Sequence, residues 1–223
     1  MKTNQQLHYR AALFAVVVLA LFPVRATAIY MNFDSVDATT HVDATSYLAS
    51  FGITITNVTA DGVSRPGSVK IVDDQYCYGS KCVIASSPHN FLLGEFGVNM
   101  WSDSYTLNFS TPLQSLSFTR IAYTTWGGAQ TPGWNATAYI GTTAIGSVGS
   151  PNINQDYAAP AHTYAFSGAG ITSLTIEGYP HNTAALNTVP LDDFYMTPVV
   201  PEPATLLLFG LGGLAIRKVK GKR

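Results

Sequence analysis

Charge is scarce in this chain. Only 25 of its 223 residues are Asp, Glu, Lys or Arg, and the formal net charge is −1. That excludes the basic footprint of a nucleic-acid-binding protein and the charge-rich composition of a long coiled coil. Cysteine is scarcer still. Cys77 and Cys82 are the two there are, too few for a disulfide-dense miniature fold or a four-thiolate zinc site. Long apolar runs are missing as well. Ala11–Phe22 covers twelve residues and Ala204–Ile216 thirteen without a charge, short of the about 18 of an ordinary membrane-spanning helix. Disorder is excluded from the other side, because 47% of the residues are hydrophobic.

The few charges are unevenly placed. Residues 1–28 carry Lys2, Arg10 and Arg25 and no acid, so +3. Residues 29–200 carry four Lys or Arg against twelve Asp or Glu, so −8. Residues 201–223 carry Glu202 and five cations, so +4. The acidic middle and the basic ends are therefore different kinds of chain.

The first segment has the order of an export signal. A polar start with two cations leads into Ala11–Phe22, Pro23 ends the run, and Ala26-Thr27-Ala28 offers small residues at the two positions a signal peptidase reads. Cleavage is expected after Ala28. At the other end, Pro201-Glu202-Pro203 precedes the apolar run 204–216, and Arg217, Lys218, Lys220, Lys222 and Arg223 follow it. As a helix that run would span roughly 20 Å, short of a hydrocarbon core of about 30 Å. Snorkelling cations and local thinning make up the difference, and the basic tip favours a cytoplasmic end.

Val200-Pro201-Glu202-Pro203-Ala204-Thr205, a Leu/Gly-rich span and a terminal basic tip together resemble the PEP-CTERM sorting signal. That resemblance covers residues 200–223. It implies an exported protein of a Gram-negative bacterium, of a kind often found where extracellular polysaccharide is made. It also implies that an exosortase recognises Pro201, Glu202 and Pro203 and removes the tail after a transient stay in the inner membrane. Removable C-terminal anchors of other kinds follow the same physical logic.

The middle segment, residues 29–199, reads as one domain and is long enough to bury a core. No window of a dozen residues shows a 3.6-residue period. Short stretches rich in Val, Ile, Thr, Tyr and Phe recur between Gly, Pro, Asn, Asp and Ser. Strands are expected at Ile53–Val58, Ser68–Asp73, Cys82–Ser86, Ser104–Phe109, Leu116–Tyr123, Trp134–Ile140, Thr163–Phe166, Leu174–Tyr179 and Asp192–Met196, with a turn at Ser110-Thr111-Pro112 and a short helical turn within Asp43–Ala49. The pattern predicts an all-β fold, an antiparallel jelly-roll-like β-sandwich, with a closed barrel as the alternative. Asn32-Phe33-Asp34 near the start, the Tyr105–Phe118 stretch, Phe166–Leu174 and Leu191-Asp192-Asp193-Phe194 are similar to the β-sandwich domains common in PEP-CTERM proteins, and loosely to carbohydrate-binding jelly rolls.

Four groups of residues could carry chemistry. Cys77 and Cys82 flank a Gly79-Ser80 turn signal, and an exported protein meets oxidising conditions, so a disulfide across a hairpin is expected. Asp34 lies at the start of the domain and Asp192-Asp193 at its end, and the first and last strands of jelly rolls are often neighbours, so these could converge. Converging carboxylates outside the cell would suit a structural calcium ion, and turn or surface aspartates are the plainer alternative. Trp126 and Trp134, with Tyr123, border a Gly-rich loop and could offer flat faces to sugar rings, or else belong to the core. For catalysis the inventory is thin. Glu95 and Glu177 are the two Glu of the middle segment, and no H-E-x-x-H or G-x-S-x-G motif accompanies them. The expectation is thus a non-catalytic surface or matrix protein that interacts with extracellular polysaccharide. An extracellular polysaccharide hydrolase and a purely structural surface component are the alternatives.

Overall fold

In a computed structural model of the chain, the structure describes residues 27–38, 41–73, 77–78, 81–84, 90–94, 103–125, 133–150, 158–159, 161–178 and 189–200. The signal segment through Ala26, the run 204–216, Pro201-Glu202-Pro203, Trp126 and Glu95 lie outside them. Ala28–Val199 form one compact unit. Its elements, in order, are β1 (Ile29–Met31), β2 (Val42–Asp43), α1 (Thr45–Ser50), β3 (Ile53–Ala60), β4 (Val63–Ser64), β5 (Val69–Asp73), β6 (Cys77–Tyr78), β7 (Lys81–Ile84) and β8 (Asn90–Gly94). Then follow β9 (Asp103–Arg120), β10 (Ala122–Thr125), β11 (Trp134–Ile140), β12 (Thr143–Ser150), β13 (Ala158–Ala159), β14 (His162–Gly178) and β15 (Leu191–Pro198).

Every ladder is antiparallel, and the strands form an eleven-stranded sheet and a four-stranded one. The large sheet is a folded sandwich. The first half of β9 lies between β3 and the end of β14, with β11 and β12 beyond. The second half of β9 lies between the start of β14 and β15, with β8, β5 and β2 beyond. Thus β9 and β14 belong to both layers, and the chain bends where their ladder is interrupted.

That bend corrects one sequence expectation. Ser110-Thr111-Pro112 is no turn; it lies inside the 18-residue strand β9. Proline lacks an N–H and is tolerated in a strand only where no ladder bond is needed. Here the β9–β14 pairing passes from Asn108–Ser173 to Leu113–Ile171, so Pro112 falls in the gap. Its carbonyl instead accepts the Val199 N–H at 2.9 Å. On β14 the matching bend holds Gly170 at φ +104, a conformation that residues with a Cβ rarely adopt.

Alternation places one face of each layer inward. Tyr105, Leu107 and Phe109 of β9 meet Leu174 and Ile176 of β14, Ile53 of β3 and Trp134, Ala136 and Ala138 of β11 in a single core. The other layer contributes Leu116 and Phe118, Phe166, Met31, and Phe194 and Met196. Phe118 is the hub, with ring centroids 5.8 Å from Phe194, 6.1 Å from Tyr164 and 6.4 Å from Phe166. Trp134 meets Tyr164 edge to face at 5.0 Å, joining β11 to the opposite layer. A smaller cluster of Val72, Phe91, Leu93 and Ile121 buries the other face of β5 and β8.

The outward faces are polar and cross-linked. Thr56, Thr106, Thr175, Thr137 and Ser147 stand opposite one another in one row over β3, β9, β14, β11 and β12. Thr106 and Thr175 share a hydrogen bond of 3.0 Å, and Thr137 and Ser147 one of 2.9 Å, the cross-strand pairing that favours threonine in sheets. Asp61-Gly62 form the two-residue β3–β4 hairpin with φ of +51 and +75, the left-handed pair that an Asp-Gly turn supplies.

Because Phe118 touches aromatic rings on β14 and β15 in the middle of the core, its truncation removes those contacts and leaves a cavity. Phe118→Ala should destabilise the domain by about 3–5 kcal/mol, read as a shifted midpoint in chemical unfolding. Val63→Ala, on the exposed β4, should shift it by less than about 0.5 kcal/mol.

Candidate functional site: the face where the first and last strands meet

Strand β1 pairs with β15 through Ile29–Met196, Tyr30–Tyr195 and Met31–Phe194. The first and last strands are thus neighbours, with Asp34 in the turn that follows β1 and Asp192-Asp193 near the start of β15. Each carboxylate has a hydrogen-bond partner. Asp34 accepts the Asn32 side-chain amide at 2.8 Å. Asp193 accepts the Tyr30 hydroxyl at 2.5 Å. Asp192 is fully buried and accepts the backbone N–H of Asp193 at 2.8 Å. Among the described residues, no three His, Cys, Asp or Glu side chains stand close enough to hold a metal ion.

The turn bearing Asp34 is pinned from within. The buried Asn90 amide donates to the carbonyls of Phe33 at 2.9 Å and Val36 at 2.7 Å. Tyr47 of α1 donates its hydroxyl to the Asn32 carbonyl. Phe33 packs edge to face on Phe194 at 6.2 Å, so this loop is part of the core's roof.

Asp193 controls what β15 presents. From Asp192–Thr119 to Tyr195–Ser117 the ladder advances three residues on β15 and two on β9, a β-bulge. Asp193 is the extra residue and sits at φ +50, which Asp tolerates better than most side chains. Uninterrupted alternation from Leu191 would turn Tyr195 into the core. The bulge reverses the phase, so Phe194 and Met196 are buried while Tyr195 is 51% exposed. Its ladder partner Tyr30 is 45% exposed, and the two rings lie 4.5 Å apart at 31°. Burial, and then the hydrogen bond to the Asp193 carboxylate, raise the Tyr30 hydroxyl's pKa above its ordinary value. Beside them on the same face stand Ser117 of β9 and Ala165 of β14, and in the next row Thr197, Ser115 and Ser167.

The aromatics singled out in the sequence lie elsewhere. Trp134 is 3% exposed and packs in the core, so it offers no face to a ligand; a tryptophan opening a strand is as well suited to burial as to binding. Tyr123 lies on β10, opposite Val83 and Ala159. Cys77 and Cys82 face each other directly in the β6–β7 ladder. Glu177 lies on β14, opposite Ser104 and Asn135.

A further acidic residue escaped notice in the sequence. Asp103, 4% exposed, begins β9 on the core-facing side, two residues before the fully buried Tyr105. One carboxylate oxygen of Asp103 and the Tyr105 hydroxyl have no hydrogen-bond partner. Burial pushes the Asp103 carboxyl well above its ordinary 3.8, against the pull of the backbone N–H groups of Asp103 and Gly178. Tyr105 is raised by its own burial and by the nearby Asp103.

The molecule is thus an antiparallel β-sandwich whose terminal strands pair beneath an exposed aromatic couple. Residues 199–223 match the PEP-CTERM protein-sorting motif, which marks an exported protein recognised by an exosortase. No curated protein matches the chain. Solved structures similar to it include the K2 cleaved adhesin domain of Lys-gingipain, at 15% identity and a TM-score of 0.46, covering 77% of this chain and 99% of that one. A cyclase from Fischerella sp. TAU is similar at 9% identity and a TM-score of 0.44, covering 78% and 100%. TmCBM27, a carbohydrate-binding module studied for mannan recognition, is similar at 9% identity and a TM-score of 0.38, covering 78% and 100%. No residue role transfers from any of them.

The Asp103 site has a pH signature. A carboxyl whose folded pKa lies above its unfolded one holds its proton more tightly when folded. Its contribution to stability is complete below the unfolded value, about 3.9, and is lost as pH rises through the folded value. Asp103→Asn removes that loss. Thermal unfolding over a pH series should show the variant more stable than the parent near neutrality, with the gap closing toward pH about 4.

Proposed function

We propose that the protein is a non-catalytic component of the cell surface or extracellular matrix, and that its sandwich interacts with the polysaccharide there. The observation that carries this reading is the sorting motif at residues 199–223, which follows directly on the last strand, ending at Pro198. A domain delivered this way works outside the cytoplasm, among secreted polymers. The acidic balance of residues 29–200, four cations against twelve acids, suits a soluble domain repelled by anionic membrane surfaces. Glu177, the described Glu, lies on the outer, hydroxyl-lined side of its sheet with Ser104 and Asn135 opposite.

The test is co-sedimentation of the exported protein with the producing cell's own polysaccharide, alongside an assay for reducing-sugar release. Retention on the polymer without release is the expected result. Release that disappears in Glu95→Gln or Glu177→Gln would instead make the protein a hydrolase. Neither retention nor release would leave the purely structural role.

The same destination bears on the cysteines. Directly opposed residues of an antiparallel pair have Cα atoms about 4.5–5.5 Å apart, inside the range a disulfide spans. Cys77 and Cys82 are in that relation, and we expect them bridged in the exported protein. Mass spectrometry after alkylation without reductant should find neither thiol labelled.

A further inference from the structure

We infer that the outer face around Tyr30 and Tyr195 is a saccharide platform, and that its ligand is a polymer of pyranose rings without acidic groups. The inference rests on the matrix-interacting reading and places its contact on β1 and β15 rather than on the Trp126 loop.

Three observations lead to it. The first is exposure. Tyr30 and Tyr195 are two of the largest exposed apolar side chains among the described residues, and they are adjacent. An isolated exposed tyrosine is ordinary; two rings 4.5 Å apart, tilted by 31°, on one sheet face make an aromatic patch. The negative face of a phenol ring attracts the weakly positive C–H edge of a pyranose, while sugar hydroxyls need polar partners around the ring.

The second is the floor beside the rings. Ser117 stands opposite Tyr195 and Ala165 opposite Ser117, so the two strands next to Tyr195 carry small side chains. Strands lie about 4.8 Å apart, which leaves a shelf roughly 10 Å wide from β15 to β14. Ser115, Ser167 and Thr197 edge it with hydroxyls. A ring stacked on Tyr195 therefore has open space on one side and donors and acceptors within reach, the combination that fixes a polar ligand's orientation.

The third is rigidity and charge. Tyr195 faces outward because the Asp193 bulge puts it there, and the Tyr30 hydroxyl is tied to the Asp193 carboxylate. Binding then costs little side-chain ordering. The same carboxylate sets a negative charge at the rings, on a domain with an excess of eight acids over residues 29–200. Uronate or sulfate polymers would be repelled, and neutral or amino-sugar polymers would not.

The experiment measures binding of the exported protein to immobilised mannan, β-glucan, chitosan and polygalacturonate. Wild type should bind at least one of the first three and not polygalacturonate. Tyr195→Ala and Tyr30→Ala should each weaken binding about tenfold, the size expected for a central aromatic contact, and the double variant should abolish it. Tyr30→Phe, which keeps the ring, should stay nearer wild type, and Trp126→Ala should bind normally. Unfolding midpoints of the variants, expected to be close to wild type because both rings are half-exposed, separate lost contact from lost fold. If wild type binds a polymer and the double variant binds it equally well, the platform is wrong while the matrix reading stands. If polygalacturonate binds as well as the neutral polymers, the ligand class is wrong. If wild type binds no glycan in the panel or from its own cells, the reading and the platform fall together.

Discussion

Strands β9 and β14 pair from Asp103–Gly178 at one end to Arg120–His162 at the other, and each runs through both layers of the sandwich. All other ladders of the large sheet attach to this hairpin-like spine directly or through one another. A strand pair that serves two layers has to bend, and bending interrupts hydrogen bonding. The interruption falls at Pro112, where no donor is lost, and near Gly170, where no Cβ resists. The inward rows on either side of the bend, Tyr105-Leu107-Phe109 and Leu116-Phe118, then face one another across a single core.

The spine also explains the placement of the polar groups. Alternation sends hydroxyls outward in rows, where threonines pair across strands and keep the sheet faces wet without charge. That accounts for a protein with so few ionised residues. Asp103 departs from the pattern, a carboxyl on the inward side at the first residue of β9. Its burial has no compensating partner on one oxygen, and a neutral acid is the form that burial favours there.

How far the sequence went depended on what each segment could signal locally. Trp134–Ile140 is a strand with the bounds expected of it, and the short helix Thr45–Ser50 overlaps the turn expected at 43–49. Segments without alternation were lost. Asn90–Gly94 is buried on both faces, so it shows no period of two. Thr143–Ser150 carries Gly146 and Gly149, which dilute the strand signal of Thr143, Ile145 and Val148, and it pairs with β11. Ser110-Thr111-Pro112 has the composition of a turn, and only the long-range ladder makes it a bend. The same limit governs the candidate site. Asp34, Asp192 and Asp193 stand out by charge and position, whereas Tyr30 and Tyr195 become a pair through a register between residues 165 positions apart. The phase slip at Asp193, which decides whether Tyr195 faces in or out, leaves no mark in a hydrophobicity pattern.

The position of β15 has a consequence for the order of events in the protein's life. It is the last strand of the sandwich, yet it is internal: β9 lies on one side, and β1 and β8 on the other. Among the described residues, β15 is the ladder partner of β1 and the link that ties β8, β5 and β2 to β9. A chain emerging from its N-terminal side thus cannot complete the second layer until Leu191–Pro198 have arrived, and the sorting motif follows at once. The strand that closes the second layer and the motif that marks the chain for sorting are therefore neighbours in sequence.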